Sequence, residues 1–295
     1  NNPALRSAGF IMTHRDKEKI LLENIRLQGS MLVAFSGGTD STLPSVLAKE
    51  VLGKMSRCVL LDSPVVPRAA VEQARKIADT EGLILDILPG VQMEYQEFRS
   101  NTPDRCYHCR KISAVQLKKR AAELGFSCIA DGINLSDTRE HRPGIRASDE
   151  EGIRHPFIDA GITKEDIRAI ARERGLSVWQ KPSAACLSSR IPYGQEITLE
   201  SLKMIEAAEA FLSARGFSPL RVRLHGPIAR IEVLPGDVPD ILAIRADVVH
   251  ALRTIGFCYV TLDLEGYRSG SMDEILKKSP TAGDVRQKTG SDPGK

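Results

Sequence analysis

The residues best able to do chemistry fall into three sets. In the first, Ser36-Gly37-Gly38-Thr39-Asp40-Ser41 follows the apolar run Leu32 to Phe35. Two glycines permit a sharp turn and the close approach of another group. A helix starting near Thr39 or Asp40 presents unpartnered N–H groups at the positive end of its dipole. The hydroxyls of Ser36, Thr39 and Ser41 surround that end, so the stretch predicts a phosphate site. No Lys-Ser/Thr pair follows the glycines at Walker spacing, and the loop therefore lacks the lysine of ordinary ATPases. Asp40 places a carboxylate where phosphates are expected, which calls for a divalent cation such as Mg2+ between them. The plain alternative is a structural Gly-Gly turn with a Ser/Asp helix cap.

The second set is sulfur. Cys106 and Cys109 have chelating spacing within Cys106-Tyr107-His108-Cys109. Cys186 lies in Lys181-Pro182-Ser183-Ala184-Ala185-Cys186-Leu187-Ser188-Ser189-Arg190, where Arg190 and hydroxyl donors favour a thiolate suited to attack or to metal binding. Three thiolates suit a 4Fe-4S cluster with one open iron. An empty pair beside a reactive Cys186, a redox dithiol and a zinc site with His108 or another ligand stay open next to it. Cys58, Cys128 and Cys258 fall in expected strands and read as small buried hydrophobes. The third set is Arg221 and Arg223, which alternate along a strand and share a face, where parallel forks could grip a phosphate. A salt-bridged, solvated strand face is the equal alternative. Tyr107 is either a ring that stacks on a flat ligand or an ordinary half-buried tyrosine. His14, His155, His225 and His250 show no ligand spacing.

These sets need elements to hold them. Residues 14–29 carry a helical pattern, 32–35 read as a buried strand, and the helix after the glycines ends near Gly53, with Pro44 tolerated in its first turn. Strands are expected over 57–62, 83–88 and 127–132, with a charged helix over 67–81 and a basic one over 110–124. The segment 91–110 breaks the rhythm, 154–157 reads as a last short strand, and Thr163 with Asp166 caps a further helix. This order predicts an α/β fold with a doubly wound parallel sheet closing around Pro182, and ligands at the carboxyl ends of its strands. Ser36, Asp62 and Asp131 fall at such ends, and a polar loop runs from Gly132 through Asn134, Asp137 and Arg139 to Arg142-Pro143-Gly144. From 198 the order becomes helix (198–215), strands (219–224 and 228–234), helix (237–255) and strand (257–262), a smaller α+β domain over 183–277. The Lys-, Ser-, Gly- and Pro-rich stretch 278–295 reads as a disordered tail.

Two domains suit 295 residues with 42% hydrophobic content. A net charge of +3 supplies no extended basic surface, so long nucleic acid is not an expected partner. No apolar run spans a bilayer and no signal-peptide pattern opens the chain, which reads as cytoplasmic with no membrane partner. Six cysteines in a reducing compartment argue for metal or catalytic use of some and against a disulfide framework.

The stretch Ser-Gly-Gly-Thr-Asp-Ser after an apolar strand resembles the PP-loop of the ATP pyrophosphatases. With Pro182-Ser183-Ala184-Ala185-Cys186-Leu187-Ser188-Ser189-Arg190, Gly266-Tyr267-Arg268-Ser269-Gly270-Ser271-Met272, Asp131-Gly132 and the Arg142-Pro143-Gly144 turn, the chain resembles the LarE family of ATP-dependent sulfur transferases from about residue 15 to 277. The resemblance implies ATP binding by Ser36, Gly37, Gly38, Thr39, Asp40, Ser41, Asp62 and Gly132, with Asp40 and Cys186 catalytic. It implies a nicotinate-derived mononucleotide substrate, pyridinium-3,5-biscarboxylic acid mononucleotide, whose carboxylates become acyl adenylates and then thiocarboxylates for the nickel-pincer cofactor of lactate racemase. Substrate contacts are expected from Ser189, Arg190, Arg221, Arg223 and Tyr107, with Glu209, Glu232 and Asp240 nearby. Either Cys186 gives up its own sulfur and becomes dehydroalanine, or Cys106, Cys109 and Cys186 hold a cluster that delivers sulfide. A homo-oligomer is implied by the family alone. His141 stands where the family pattern has tyrosine. The competing functions are a tRNA thiolase, an amide-forming ligase, and a non-catalytic nucleotide sensor whose cysteines clip a structural metal.

Overall fold

The computed structural model describes residues 12–139, 143–181, 186–268 and 270–274. The Arg142 end of the polar loop, His141, Pro182 to Ala185, Ser269 and the stretch 278–295 lie outside the described residues. The chain forms two compact units. One comprises residues up to Leu187 together with Glu196–Leu199, and the other Ser188–Gln195 together with residues from Glu200 on.

The first unit is built on four parallel strands, β1 (Met31–Ala34), β2 (Ser56–Asp62), β3 (Leu85–Pro89) and β4 (Cys128–Ala130), in the order β3-β2-β1-β4. β1 is flanked on both sides and covered on both faces, which is why its four residues show no alternation. Met31 and Val33 enter one core with residues of α1 (His14–Leu27), α2 (Thr39–Leu52) and α3 (Arg68–Thr80). Leu32 enters the opposite core with Ala114, Leu117 and Ala121 of α4 (Arg105–Leu124). Burying Leu32 completely contributes about 2 kcal/mol. The chain steps outward from β1 to β3 through α2 and α3, then returns through α4 on the other face to place β4 beside β1. That reversal makes the gap between β1 and β4 a topological switch point, where parallel sheets bind ligands.

Several boundaries differ from the sequence reading. α4 starts at Arg105, so Cys106 and Cys109 stand on the opening turns of a long helix instead of in an irregular segment. The short strand expected at 154–157 reduces to one bridge between Ala130 and Arg154, because Pro156 opens a helical turn, Pro156–Asp159. An eight-residue helix, α5 (Pro143–Glu150), precedes it, and α6 (Lys164–Glu173) follows with the expected Thr163–Asp166 capping box. Pro44 sits beyond the first turn of α2, and its missing N–H leaves the Asp40 carbonyl without a helical donor.

In the second unit, α7 (Leu199–Ser213) precedes a three-stranded sheet of β5 (Arg221–His225), β6 (Ile228–Glu232) and β7 (Tyr259–Leu262). β5 and β6 are antiparallel; β6 and β7 are parallel. The helix expected over 237–255 is two, α8 (Val238–Ala243) and α9 (Arg245–Ile255), since Ile244 leaves the helical region at φ −103°, ψ 20°. Among the described residues no helix is long and apolar enough to cross a membrane.

Candidate active site

A cavity of about 390 Å3 opens at the carboxyl ends of β1, β2 and β4, and Ser36, Asp40, Ser41, Asp131, Gly132 and Cys186 are among its lining residues. Its floor follows from the glycine turn. Gly37 holds φ +67°, and a Cβ there would lie 2.7 Å from the Ala74 backbone of α3. Gly38 is the N-cap of α2 and has no side chain to cap with, so among the described residues the N–H groups of Thr39 and Asp40 meet no acceptor. Ser41 Oγ accepts from the Ser36 N–H at 3.1 Å and lies 3.2 Å from Ser36 Oγ, which pins the turn. Gly132 closes the opposite wall. A Cβ at 132 would sit 2.2 Å from the Asp40 carbonyl oxygen, so the space left by the donor Pro44 lacks is filled by the glycine backbone.

Two residues of the expected nucleotide set are turned elsewhere. The Thr39 hydroxyl, read as part of the ring around the helix end, donates instead to the Val178 carbonyl at 2.5 Å and leaves only its N–H for a ligand. Asp62 ends β2 as expected, but Arg68 at the start of α3 pairs with its carboxylate, and Asp62 is absent from the cavity lining. Asp40, in contrast, lines the cavity and carries the ammonium of Lys164 on its carboxylate, so a cation already stands where Mg2+ is expected. That stand-in shows the position accepts positive charge, and Asp40 is the residue that would hold the metal.

The cavity also has a buried charge line that the sequence does not suggest. Asp131, 3% exposed, accepts from the Ile133 N–H and lies 2.7 Å from His155 Nδ1, while His155 Nε2 lies 3.1 Å from Asp149. Burial pulls the His155 pKa down, but Asp131 and Asp149 outweigh it and raise it above 6.5. Arg110, another lining residue, approaches the far oxygen of Asp131 at 3.8 Å.

Cys186 is exposed at this cavity, and the Cys109 thiol feels the charge of Cys186 and of Cys106. Burial pushes the Cys109 thiol up to about 12, Cys186 and Cys106 add to the rise, and Arg110 and Arg105 oppose it. Among the described residues no three His, Cys, Asp or Glu side chains are gathered closely enough to hold a metal ion. Cys58 and Cys128 are buried within β2 and β4, where burial raises both to about 11. Cys258, expected to be buried too, is exposed, because it precedes β7 at the edge of its sheet. Tyr107 donates to Glu150 at 2.6 Å under the Arg146 guanidinium, and it does not line the cavity.

The arginines belong to the second unit. Arg190, assigned to the thiolate of Cys186 in the sequence reading, is 2% exposed and spends Nε and Nη2 on Glu209 at 2.8 and 2.9 Å, with Nη1 on Ser189 Oγ. Arg223 is likewise buried. It makes two bonds to Glu232, at 3.0 and 2.8 Å, and further ones to the Ser189 carbonyl and the Ser271 hydroxyl. Arg221 differs: it donates to the Leu220 carbonyl and stacks on Tyr267, and among the described residues no carboxylate pairs with it. Burial and the like charges of Arg190 and Arg223 lower its pKa. Glu209 and Glu232 therefore serve as partners of arginines.

No family model matches the chain. An uncharacterised protein of Synechocystis is 37% identical over 263 residues, covering 87% of this chain and 98% of the relative. The pyridinium-3,5-bisthiocarboxylic acid mononucleotide synthase of Lactiplantibacillus plantarum is 36% identical over 270 residues, covering 90% of this chain and 97% of the relative. A tRNA-specific 2-thiouridylase of Mycolicibacterium smegmatis is 30% identical over 191 residues, covering 52% of each chain.

Proposed function

The chain belongs to the LarE family of ATP-using sulfur transferases in the PP-loop superfamily, and on that premise we propose that it activates and thiolates the carboxylates of pyridinium-3,5-biscarboxylic acid mononucleotide. The observation that carries the reading is that Cys186 lines the same cavity as the glycine-turn helix end, Asp40 and Gly132.

The sequence of events follows from the chemistry. The N–H groups of Thr39 and Asp40 take the terminal phosphates of ATP, and Asp40 is the residue that would hold a Mg2+ ion, which would supply charge neutralisation there. A substrate carboxylate oxygen attacks the α-phosphorus. The bond from that phosphorus to the bridging oxygen breaks, and pyrophosphate leaves with the electron pair. The acyl adenylate now has AMP as leaving group where it had an oxide, so sulfur can displace it. Cys186, exposed at the cavity, attacks the acyl carbon as a thiolate and AMP departs. Loss of the Cα proton of Cys186 then breaks its Cβ–S bond, sulfur keeps the pair as thiocarboxylate, and dehydroalanine remains, with no net oxidation. Arg221, a half-buried guanidinium without a carboxylate, is suited to the phosphate of the mononucleotide, and Arg223 and Glu232 hold the strand that presents it.

A second source of sulfur is favoured by one observation: Cys106 and Cys109 stand together on the opening turns of α4, and Cys186 is close enough to Cys109 for its charge to raise that thiol. A thiol raised as far as that of Cys109 ionises readily only beside a metal, so these three would be the ligands of a 4Fe-4S cluster supplying sulfide. The described residues form no gathered ligand set for it. One experiment separates the two. After a single turnover with ATP and the dicarboxylate mononucleotide, the intact mass falls by that of one hydrogen sulfide molecule if Cys186 is the donor. An unchanged mass together with thiolated product and bound iron overturns that donor in favour of the cluster.

A further inference from the structure

The loop that receives the phosphates has no lysine of its own, yet the terminal phosphates of ATP carry several negative charges. Two ammonium groups from far along the chain reach it. Lys181 Nζ donates to the Gly37 carbonyl at 2.8 Å, across 144 residues of sequence. Lys164 Nζ sits on the Asp40 carboxylate, across 124 residues.

Both cations are placed where folding alone disfavours them. Lys181 is half-buried and makes no ion pair among the described residues, and burial alone lowers its pKa. A cation withdrawn from water without a counter-charge costs free energy, and its nearest acceptor is a neutral peptide oxygen of the phosphate turn. Lys164 is the first residue of α6, at the positive end of a helix dipole, where acidic side chains are the stabilising choice. Asp40 offsets that cost and would cease to do so once it binds a metal.

We propose that Lys181 and Lys164 together are the phosphate lysines the loop lacks, Lys181 holding the terminal two phosphates directly and Lys164 turning onto them when Mg2+ takes Asp40. The assignment rests on the reading that this cavity binds ATP. In the adenylation step, the α-phosphorus forms a bond to the substrate carboxylate oxygen as its bond to the bridging oxygen breaks. The electron pair and its charge pass to pyrophosphate, where two ammonium groups stabilise it more strongly than in ATP. Supplying the charge from distant lysines also leaves the glycine turn narrow, since no long side chain has to leave from within it.

The test uses calorimetric titration of the full chain with two probes, inorganic pyrophosphate in Mg2+ and AMP. Lys181→Met is expected to weaken pyrophosphate binding about tenfold or more and leave AMP binding within about twofold, with Lys164→Met showing the same selectivity and Lys181→Arg retaining most of the affinity. The thermal midpoint of Lys181→Met is expected not to fall, because an unpaired half-buried charge has been removed. Equal weakening of both probes by Lys181→Met overturns the proposal in favour of a role in shaping the turn, and unchanged pyrophosphate affinity overturns it outright. A wild-type chain that binds neither probe overturns the ATP reading itself, and the lysine assignment with it.

Discussion

Positive charge is handled differently at the glycine turn of the first unit and in the core of the second, although elsewhere the first unit also pairs its part-buried cations, as in Lys17 with Asp166 and Arg174 with Glu18. In the second unit the guanidiniums of Arg190 and Arg223 are sunk into the structure and matched by carboxylates, and Glu232, with no exposed surface, answers both Arg223 and Arg230. In the first, Lys181 makes no ion pair among the described residues, and Lys164 pairs with Asp40, whose side of the pair lines the cavity. Matched charges hold a shape; on the proposed function, the cations at the glycine turn instead meet phosphate. Among the described buried and half-buried arginines of the second unit, Arg221 is the one without a carboxylate partner, and on the proposed function it is the arginine that meets substrate.

The largest expected effect tests the first unit. Asp40→Ala should lower ATP–pyrophosphate exchange about a hundredfold or more while the far-ultraviolet dichroism stays as in wild type. Near-normal exchange would show that the cavity charge is not used in adenylation. Next comes a contrast within the second unit. Glu232→Gln leaves Arg223 buried without its carboxylate and should lower stability by about 3 kcal/mol in urea unfolding. Arg221→Gln should stay within about 0.5 kcal/mol of wild type in the same assay. Equal losses would erase the distinction between matched and waiting arginines. The smallest effect concerns His155. Its folded state holds a proton above the ordinary 6.5, so the stability this provides is complete below that value and is lost as pH rises through the raised one. The gap in unfolding free energy between wild type and His155→Gln should be on the order of 1 kcal/mol near pH 6 and smaller near pH 9. A gap that grows with pH would reverse the assigned charge state.

What can be read from sequence is what the chain writes locally. The strand, glycine turn and helix from Leu32 to Ser41 are consecutive, so their order alone predicts the turn and the helix end found at the cavity, and alternating strands and helices announce a parallel sheet. Period-two alternation in Arg221 and Arg223 reveals a shared face but not depth, so it does not separate the buried, paired Arg223 from the unpaired Arg221. Charge pairs that close over long distances leave no local signal. Nothing near Lys164 or Lys181 points to residues 40 and 37, and His155 shows no signal because its partners, Asp131 and Asp149, are set by the return of the chain beside β4. Thr39 differs from its expected role for a related reason. A hydroxyl at a helix start has two plausible partners, and the one it meets, the Val178 carbonyl, lies 139 residues away.

The short stretch Glu196–Leu199 has a practical consequence. It belongs to the first unit although residues on either side of it belong to the second, and it is seated there by the Ile197 N–H on the Arg99 carbonyl and by Ile197 itself, which has no exposed surface. The backbone therefore crosses from one unit to the other three times. Cutting the gene after Leu187 would not yield an intact nucleotide-binding half; it would remove a peg from beneath Arg99, and expression of that fragment should be designed with 196–199 grafted back through a linker.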